Sequence, residues 1–399
     1  MTIAQRELLV VAGEASGDLH GARLITELRR HIPDLAPFGL GGDEMRAAGL
    51  EAVAHSSEIS VVGITEVLKI LPRAREVFAD LLREVDRRRP ALAVLIDFPD
   101  FNLRLAKELK ARGLEVLYYI SPQVWAWRRG RVKTIARLVD RMLVLFPFEV
   151  DFYREHDVDV VHVGHPLVDE VPVLPQAWDH DGASFGGPSF GGPYRVALLP
   201  GSRKSEVESL LPTLLEAARL LAGEFPIEVR IIRAPTIPPE LVDEAVELAG
   251  LPVEIIGEDR FAAIADSHLA LCASGTATLE VGLLGTPMVM VYRLASWTYV
   301  LAKLMVHLPN VSLVNLVLGR RVVPELIQGD ANPRRIATEA ARLLTDAGER
   351  GRMRAALAEV RGRLGEGGAS RRAAAEVAAM MTGTVAGTMA EMPAEVSRS

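Results

Sequence analysis

The sequence predicts an α/β chain of two Rossmann-like, doubly wound domains facing a cleft. Three observations carry this. Short apolar runs alternate with longer segments whose apolar residues recur at three- and four-residue spacing, the pattern of parallel strands covered by helices on both faces. The chain has 399 residues, 49% of them hydrophobic, enough to bury two cores of ordinary size. Between the strand-rich halves lies a Gly- and Pro-dense stretch in which Ser184-Phe-Gly-Gly-Pro188 is repeated as Ser189-Phe-Gly-Gly-Pro193, a composition that disfavours regular structure.

In the first half, Leu8–Ala12, Ala93–Ile96, Val116–Ile120 and Arg141–Leu145 read as strands, and Leu19–Arg30, Arg73–Arg89 and Leu103–Arg112 as helices. In the second, Val196–Leu199, Val229–Ile232, Val253–Ile256, Leu269–Cys272 and Met288–Val291 read as strands, with helices over Leu210–Glu224 and Pro239–Leu248. The division is residues 1–170, a linker or insertion at 171–193, a second domain at 194–365, and a C-terminal helix and tail at 366–399. Such sheets bind ligands beyond the carboxyl ends of their strands, so the loops that follow the strands carry the candidate site.

A formal net charge of -7 gives no general attraction to polyanions, and nucleic acid is not an expected partner. Cys272 is the one cysteine, which rules out intrachain disulfides and thiolate zinc sites. The opening Met1–Glu7 lacks the charged and apolar regions of a secretory signal, so a cytoplasmic chain is expected. Ala270–Val291 is apolar but broken by Gly, Ser, Thr and Pro, and reads as helix, turn and buried strand rather than a span.

After the first strand, Gly13-Glu-Ala-Ser-Gly-Asp18 is neither a dinucleotide fingerprint nor a P-loop. Ser16 or Asp18 caps the following helix, or Glu14 faces the cleft. Gly39–Met45 reads as a second glycine-rich turn. Asp97, at the end of a strand, is the candidate base, and Asp100 suits a helix cap. The two at i,i+3 make a poor magnesium site, and His156, His162 and His165 show no metal-ligand pattern, so neither metal nor cofactor is expected. Trp125 and Trp127 beside Arg128, Arg129, Arg131 and Lys133 suit packing or an anionic lipid surface.

In the second half, Leu199-Pro-Gly-Ser-Arg-Lys-Ser-Glu206 puts backbone amides and Arg203 at a helix start, where a diphosphate binds. Ala273–Glu280 repeats that layout: Ser274, Gly275 and Thr276 at the turn form a second anion receptor. Glu280, one turn on, either accepts from ribose hydroxyls or pairs with an arginine. Ile59–Pro72, with Val67, Leu68 and Leu71 apolar and Lys69, Arg73 and Arg75 alongside, suits an interfacial membrane helix or an ordinary core helix.

Taken in order, GEASGD at 13–18, IDFPDFN at 96–102, ISPQVWAWRRGR at 120–131, VGHPLVDE at 163–170, LPGSRKSE at 199–206, ASGTATLE at 273–280 and VSLVNL at 311–316 resemble the lipid-A-disaccharide synthases. The likeness runs over roughly residues 5–340 and leaves out the Phe-Gly-Gly-Pro repeat and the tail. It implies a glycosyltransferase-B fold and an inverting, metal-independent transfer of 2,3-diacylglucosamine from UDP-2,3-diacylglucosamine to the 6-hydroxyl of 2,3-diacylglucosamine 1-phosphate. Asp97 is implied as the base, and Arg203 and Glu280 as UDP contacts. Glu14, Ser16 and Asn315 match further polar positions. A homodimer with exchanged C-terminal segments is implied too. Acylated substrates imply a chain working peripherally on the inner leaflet of the inner membrane. A UDP-sugar 2-epimerase or a nucleotide-sugar-binding protein of the same architecture is the alternative.

Overall fold

A computed structural model of the chain describes residues 6–59, 67–126, 129–175, 193–293 and 310–383, with 67–69 and 129 described by backbone alone. The chain divides into two compact units. One comprises Met1–Pro166 with Gly367–Ser399, the other Leu167–Glu366.

The first unit is built on seven strands: β1 (Arg6–Ala12), β2 (Leu35–Gly41), β3 (Glu51–His55), β4 (Leu92–Ile96), β5 (Val116–Tyr119), β6 (Arg141–Val144) and β7 (Val160–His162). All pair in parallel in the order β3-β2-β1-β4-β5-β6-β7. Its helices are α1 (Ala15–His31), α2 (Asp43–Ala47), α3 (Val67–Arg88), α4 (Pro99–Ala111), α5 (Val132–Leu138), α6 (Pro147–Arg154) and a C-terminal helix, Ala369–Thr382. The period of two along β1 sorts the core. Leu9 and Val11 join Val77, Leu81, Leu105 and Leu109 on one face. Leu8, Val10 and Ala12 join Leu24, Ile25 and Leu28 of α1 on the other, together with Ala373, Ala374, Val377 and Ala378 of the C-terminal helix. Polar contacts fix that last helix: Arg372 Nε donates to Val163 O at 2.8 Å, and Arg141 pairs with Glu376 at 2.7 Å.

The second unit holds β8 (Tyr194–Leu199), β9 (Ile227–Ile232), β10 (Val253–Ile256), β11 (Leu269–Ala273), β12 (Met288–Tyr292) and β13 (Glu325–Ile327), parallel in the order β10-β9-β8-β11-β12-β13. Its helices are α7 (Leu167–Glu170), α8 (Lys204–Ala222), α9 (Pro239–Ala249), α10 (Arg260–Ala265), α11 (Thr276–Leu283), α12 (Leu313–Leu318), α13 (Pro333–Thr345) and α14 (Ala347–Arg363). Both sheets are doubly wound. In each, the chain steps outward from a central strand and then returns to that strand's other side, so β1/β4 and β8/β11 are the switch points at which such sheets bind ligands.

Several elements differ from the sequence-based expectation. β2, β3, β7 and β13 were not predicted, and Gly39–Met45 is the end of β2 and the start of α2 rather than a free turn. β2 carries Pro37, Gly39 and Gly41, which erase the apolar run. Gly39 must lack a side chain, because a Cβ there would lie 2.1 Å from Val10 O. α3 starts before the predicted Arg73 and accommodates Pro72 inside its length. Of the expected interfacial segment, Ile59 is buried in the core, correcting its first residue, while Leu71 is 37% exposed. Residues 60–66 and the side chains of Val67 and Leu68 lie outside the described residues, as does nearly all of the Phe-Gly-Gly-Pro repeat. Among the described residues no helix is long and apolar enough to cross a membrane.

Candidate functional site

In the first unit, the parallel pairing of β1 with β4 sets Ala12 against Ile96, so Gly13–Ser16 and Asp97–Phe98 leave the sheet side by side. Asp97 and Phe98 both hold left-handed backbone, with φ of 44° and 49°. For residues with a side chain this costs about 1–3 kcal/mol each and persists only where the surroundings impose it. Here the surroundings are visible. Asp97 N donates to Tyr119 O at 3.0 Å, and the Tyr118 hydroxyl donates to Asp97 O at 2.5 Å. Asn102 Nδ2 donates to the same carbonyl at 2.8 Å and to Ile96 O at 3.2 Å. Gly13 leaves the space that the Phe98 ring needs, since a Cβ there would sit 2.3 Å from it.

Burial pushes the Asp97 carboxyl up to about 6, and the neighbouring Glu14 adds to this, against the N–H of Phe98. A half-buried carboxylate with a pKa near neutrality suits general-base work. Glu14 and Ser16 are exposed at the start of α1, whose N-cap position is Glu14 itself, without a side-chain cap. The expected cap, Asp18, lies inside the helix. Its buried carboxylate accepts from Gly42 N, Glu44 N and Met45 N at 2.7–3.1 Å and so fastens the two glycine-rich segments together. Asp100 is not a cap either: it stands in the first turn of α4 and pairs with Arg131.

Beyond β5 and β6 the sequence reading missed a buried carboxyl. Glu149 accepts from Trp125 Nε1 and from Phe146 N, each at 3.0 Å, and burial pushes it up to about 7. A glutamate three residues after Phe146, with Pro147 between them, is a capping signal visible in the sequence. Trp125 is buried and packs edge-on against Phe148, so it is a core ring and not an exposed aromatic surface. Trp127 and Arg128 lie outside the described residues. His162 Nε2 donates to Leu145 O and His156 Nδ1 to Phe152 O, while buried His165 packs on Phe146 with its pKa pushed down to about 3 by burial and the neighbouring histidines.

In the second unit, β8 and β11 present their ends together. The amides of Ser202 and Arg203, expected to receive a diphosphate, donate to Glu206 Oε2 at 3.2 and 3.3 Å. The Arg203 guanidinium also meets Glu206, at 3.2 Å, but its side chain is 80% exposed. The Ser274 amide donates to Val291 O. Gly275 adopts φ 134° and ψ -159°, a region essentially confined to glycine, and directs the chain into α11 behind the exposed Thr276. Of the two readings of Glu280 the arginine pair is present: Arg260 donates to it at 3.3 Å. Burial raises the Glu280 carboxyl, Arg260 opposes this, and Glu170 adds to it.

Asn315 is fully buried and saturated. Its Oδ1 accepts from Val322 N and Val323 N, and its Nδ2 donates to Val323 O and to Glu325, all at 2.8–2.9 Å. Glu325 in turn accepts from Val311 N and Ser312 N, so Asn315 braces the start of α12 against β13. The two switch points thus bring Glu14 near Asp97, and set the loop carrying Arg203 and the turn at Ser274–Thr276 at the ends of adjacent strands.

A sequence model described as lipid-A-disaccharide synthetase matches residues 8–379. The lipid-A-disaccharide synthase of Myxococcus xanthus (strain DK1622) is 48% identical over 93% of this chain and 96% of that protein. That of Geobacter metallireducens (strain ATCC 53774 / DSM 7210 / GS-15) is 44% identical over 95% and 98%. Among solved structures, a putative UDP-N-acetylglucosamine 2-epimerase from Listeria monocytogenes superposes with TM-score 0.60 at 12% identity, covering 96% of this chain and 98% of that one. Acinetobacter baumannii MurG does so with TM-score 0.58 at 13% identity, covering 95% and 100%. At such low identity these two show the fold alone, and the epimerase alternative gains nothing from them. By its matched length and its relatives, the chain belongs to the lipid-A-disaccharide synthase family, glycosyltransferases of the glycosyltransferase-B fold.

Proposed function

We propose that the chain transfers 2,3-diacylglucosamine from its UDP conjugate to the 6-hydroxyl of 2,3-diacylglucosamine 1-phosphate and releases UDP. The acceptor oxygen attacks the anomeric carbon, the bond from that carbon to the diphosphate oxygen breaks, and the hydroxyl proton passes to Asp97. Attack opposite the leaving group inverts the anomeric configuration. The observation that carries the reading is the Asp97 carboxyl, held at a switch point in strained backbone with its pKa near 6. An alcohol far too weak an acid to ionise at pH 7 needs such a base as it attacks.

The departing diphosphate gains charge, and the donors assigned to it are Arg203 and the helix start at Ser274, Gly275 and Thr276. Arg203 leaves Glu206 to reach it, a small cost for an ion pair so exposed. Glu280, paired with Arg260, is assigned to the ribose hydroxyls. Glu14 acts through Asp97, and Ser16 beside it faces solvent where the acceptor can hydrogen-bond.

Each acyl chain prefers a bilayer to water by ~0.8 kcal/mol per buried CH₂, which favours work at the inner leaflet of the inner membrane, from the cytoplasm. Exposed Leu71, on α3 with Val67 and Leu68, supports docking by that helix. A homodimer exchanging C-terminal segments is proposed from family membership alone; here the alanine-rich face of Ala369–Thr382 packs on its own chain's first unit.

Mass spectrometry of the product made by the purified protein from both acylated substrates tests the assignment. A tetraacyl disaccharide 1-phosphate, with UDP release strictly dependent on the acceptor, is expected. UDP release or sugar epimerisation without acceptor contradicts it. Flotation with anionic vesicles, repeated after Val67, Leu68 and Leu71 are changed to serine, tests the docking.

A further inference from the structure

We propose that Tyr118 and Asn102 are positioning residues for Asp97, fixing the left-handed main chain from which its carboxylate projects. The inference rests on the assignment of Asp97 as the base. Two donors from different elements converge on one atom: the Tyr118 hydroxyl, from β5, at 2.5 Å and Asn102 Nδ2, from α4, at 2.8 Å both reach Asp97 O. Together they use both lone pairs of that carbonyl. Both side chains are fully buried. The Tyr118 ring belongs to the apolar core, where phenylalanine would fill the same space, so the hydroxyl is the part that packing does not require. Asn102 Oδ1 is buried with no hydrogen-bond partner, a penalty accepted so that the amide can reach the carbonyls of Ile96 and Asp97.

The strain they oppose is not confined to Asp97. Phe98 follows it in the left-handed region, and β-branched Ile120, directly after β5, holds φ 66°. Two neighbouring strand ends are therefore twisted out of extended geometry beside the candidate base, and Tyr118 ties one to the other. Without its hydroxyl, the Asp97 main chain relaxes toward ordinary backbone and the carboxylate moves. The charged and titratable groups around Asp97 are Glu14, at the cap of α1, and Tyr118 from β5, while Asp100 in the first turn of α4 is engaged by Arg131. A carboxylate that relaxes into water loses the burial that raises it, so the pH at which it becomes a base falls.

The test uses the whole enzyme with Tyr118→Phe, Asp97→Asn and the double variant, measuring kcat with both substrates saturating, its pH profile, UDP affinity and the thermal midpoint. Tyr118→Phe should lower kcat about 10- to 100-fold, the scale of a displaced catalytic group. It should also shift the acid limb of kcat to lower pH and leave UDP affinity within about twofold. In the Asp97→Asn background it should cost nothing further. If Tyr118→Phe does not fold, Asn102→Ser makes the same test through the second donor. An unchanged kcat and acid limb in Tyr118→Phe, beside an inactive Asp97→Asn, overturns the positioning role. Equal losses in both backgrounds overturn it as well, because the hydroxyl would then act on the fold at large. Full turnover in Asp97→Asn overturns the base assignment itself.

Discussion

Arg260, the first residue of α10, and Glu280, one turn into α11, meet at 3.3 Å, with side chains 34% and 17% exposed. The pair is partly desolvated, and the arginine is the group that opposes protonation of a carboxyl raised by burial and by Glu170. Arg260→Met should therefore raise Glu280 further. A protonated carboxyl loses acceptor capacity for the ribose hydroxyls, so UDP affinity in the variant should be weaker at acidic than at neutral pH, and by more than in the native protein. Calorimetry at the two pH values checks this. A pH-independent affinity in the variant removes Glu280 from the nucleotide site.

Glu149 links stability to pH. Its folded pKa of about 7 lies above the ordinary glutamate value of 4.5, so the folded state binds more protons between these limits and stability falls as pH rises through that window. For a carboxyl this deeply buried the loss is on the order of 3 kcal/mol. Glu149→Gln removes that component but offers one acceptor where Trp125 and Phe146 need two, so it should be less stable than the native protein at pH 5 by about 1–3 kcal/mol. The gap should narrow by pH 8. Denaturant midpoints at both pH values decide.

Glu14→Gln removes a negative charge that helps to raise Asp97. The acid limb of the kcat profile should move to lower pH, with UDP affinity unchanged. The shift should be partial, because burial is the larger cause and remains. An unmoved limb separates Glu14 from the base.

What could be read from the sequence was whatever a local pattern encodes. The apolar run Leu92–Ile96 marked β4, and its final position made Asp97 a candidate. The parallel order that sets Glu14 beside Asp97 follows from a doubly wound sheet. β2 was lost because Pro37, Gly39 and Gly41 hide its pairing with β1, which only the Val10–Gly39 approach explains. The left-handed backbone at Asp97 and Phe98 was not legible at all. Pro99 discourages helical geometry in the residue before it, and nothing local favours positive φ. Most of the partners of Asp97 lie far along the chain: the Tyr118 hydroxyl, 21 residues on, donates to Asp97 O, and Tyr119 O accepts from Asp97 N. Asp18 was misread as a cap for the same reason: its partners at Gly42–Met45 lie 24 to 27 residues away. Arg203 was correctly placed at a helix start, but a capping glutamate three residues later already held the amides that the anion was expected to take.

The most direct test of the account is the pH dependence of kcat in the native protein and in Asp97→Asn, with UDP affinity measured alongside. The native profile should show an acid limb near pH 6, the point at which Asp97 loses its proton. Asp97→Asn should bind UDP as the native protein does and lose turnover by ~10²–10⁴-fold, the usual scale of general-base catalysis. Near-native turnover of that variant at saturating substrates, with the acid limb still in place, would contradict the account.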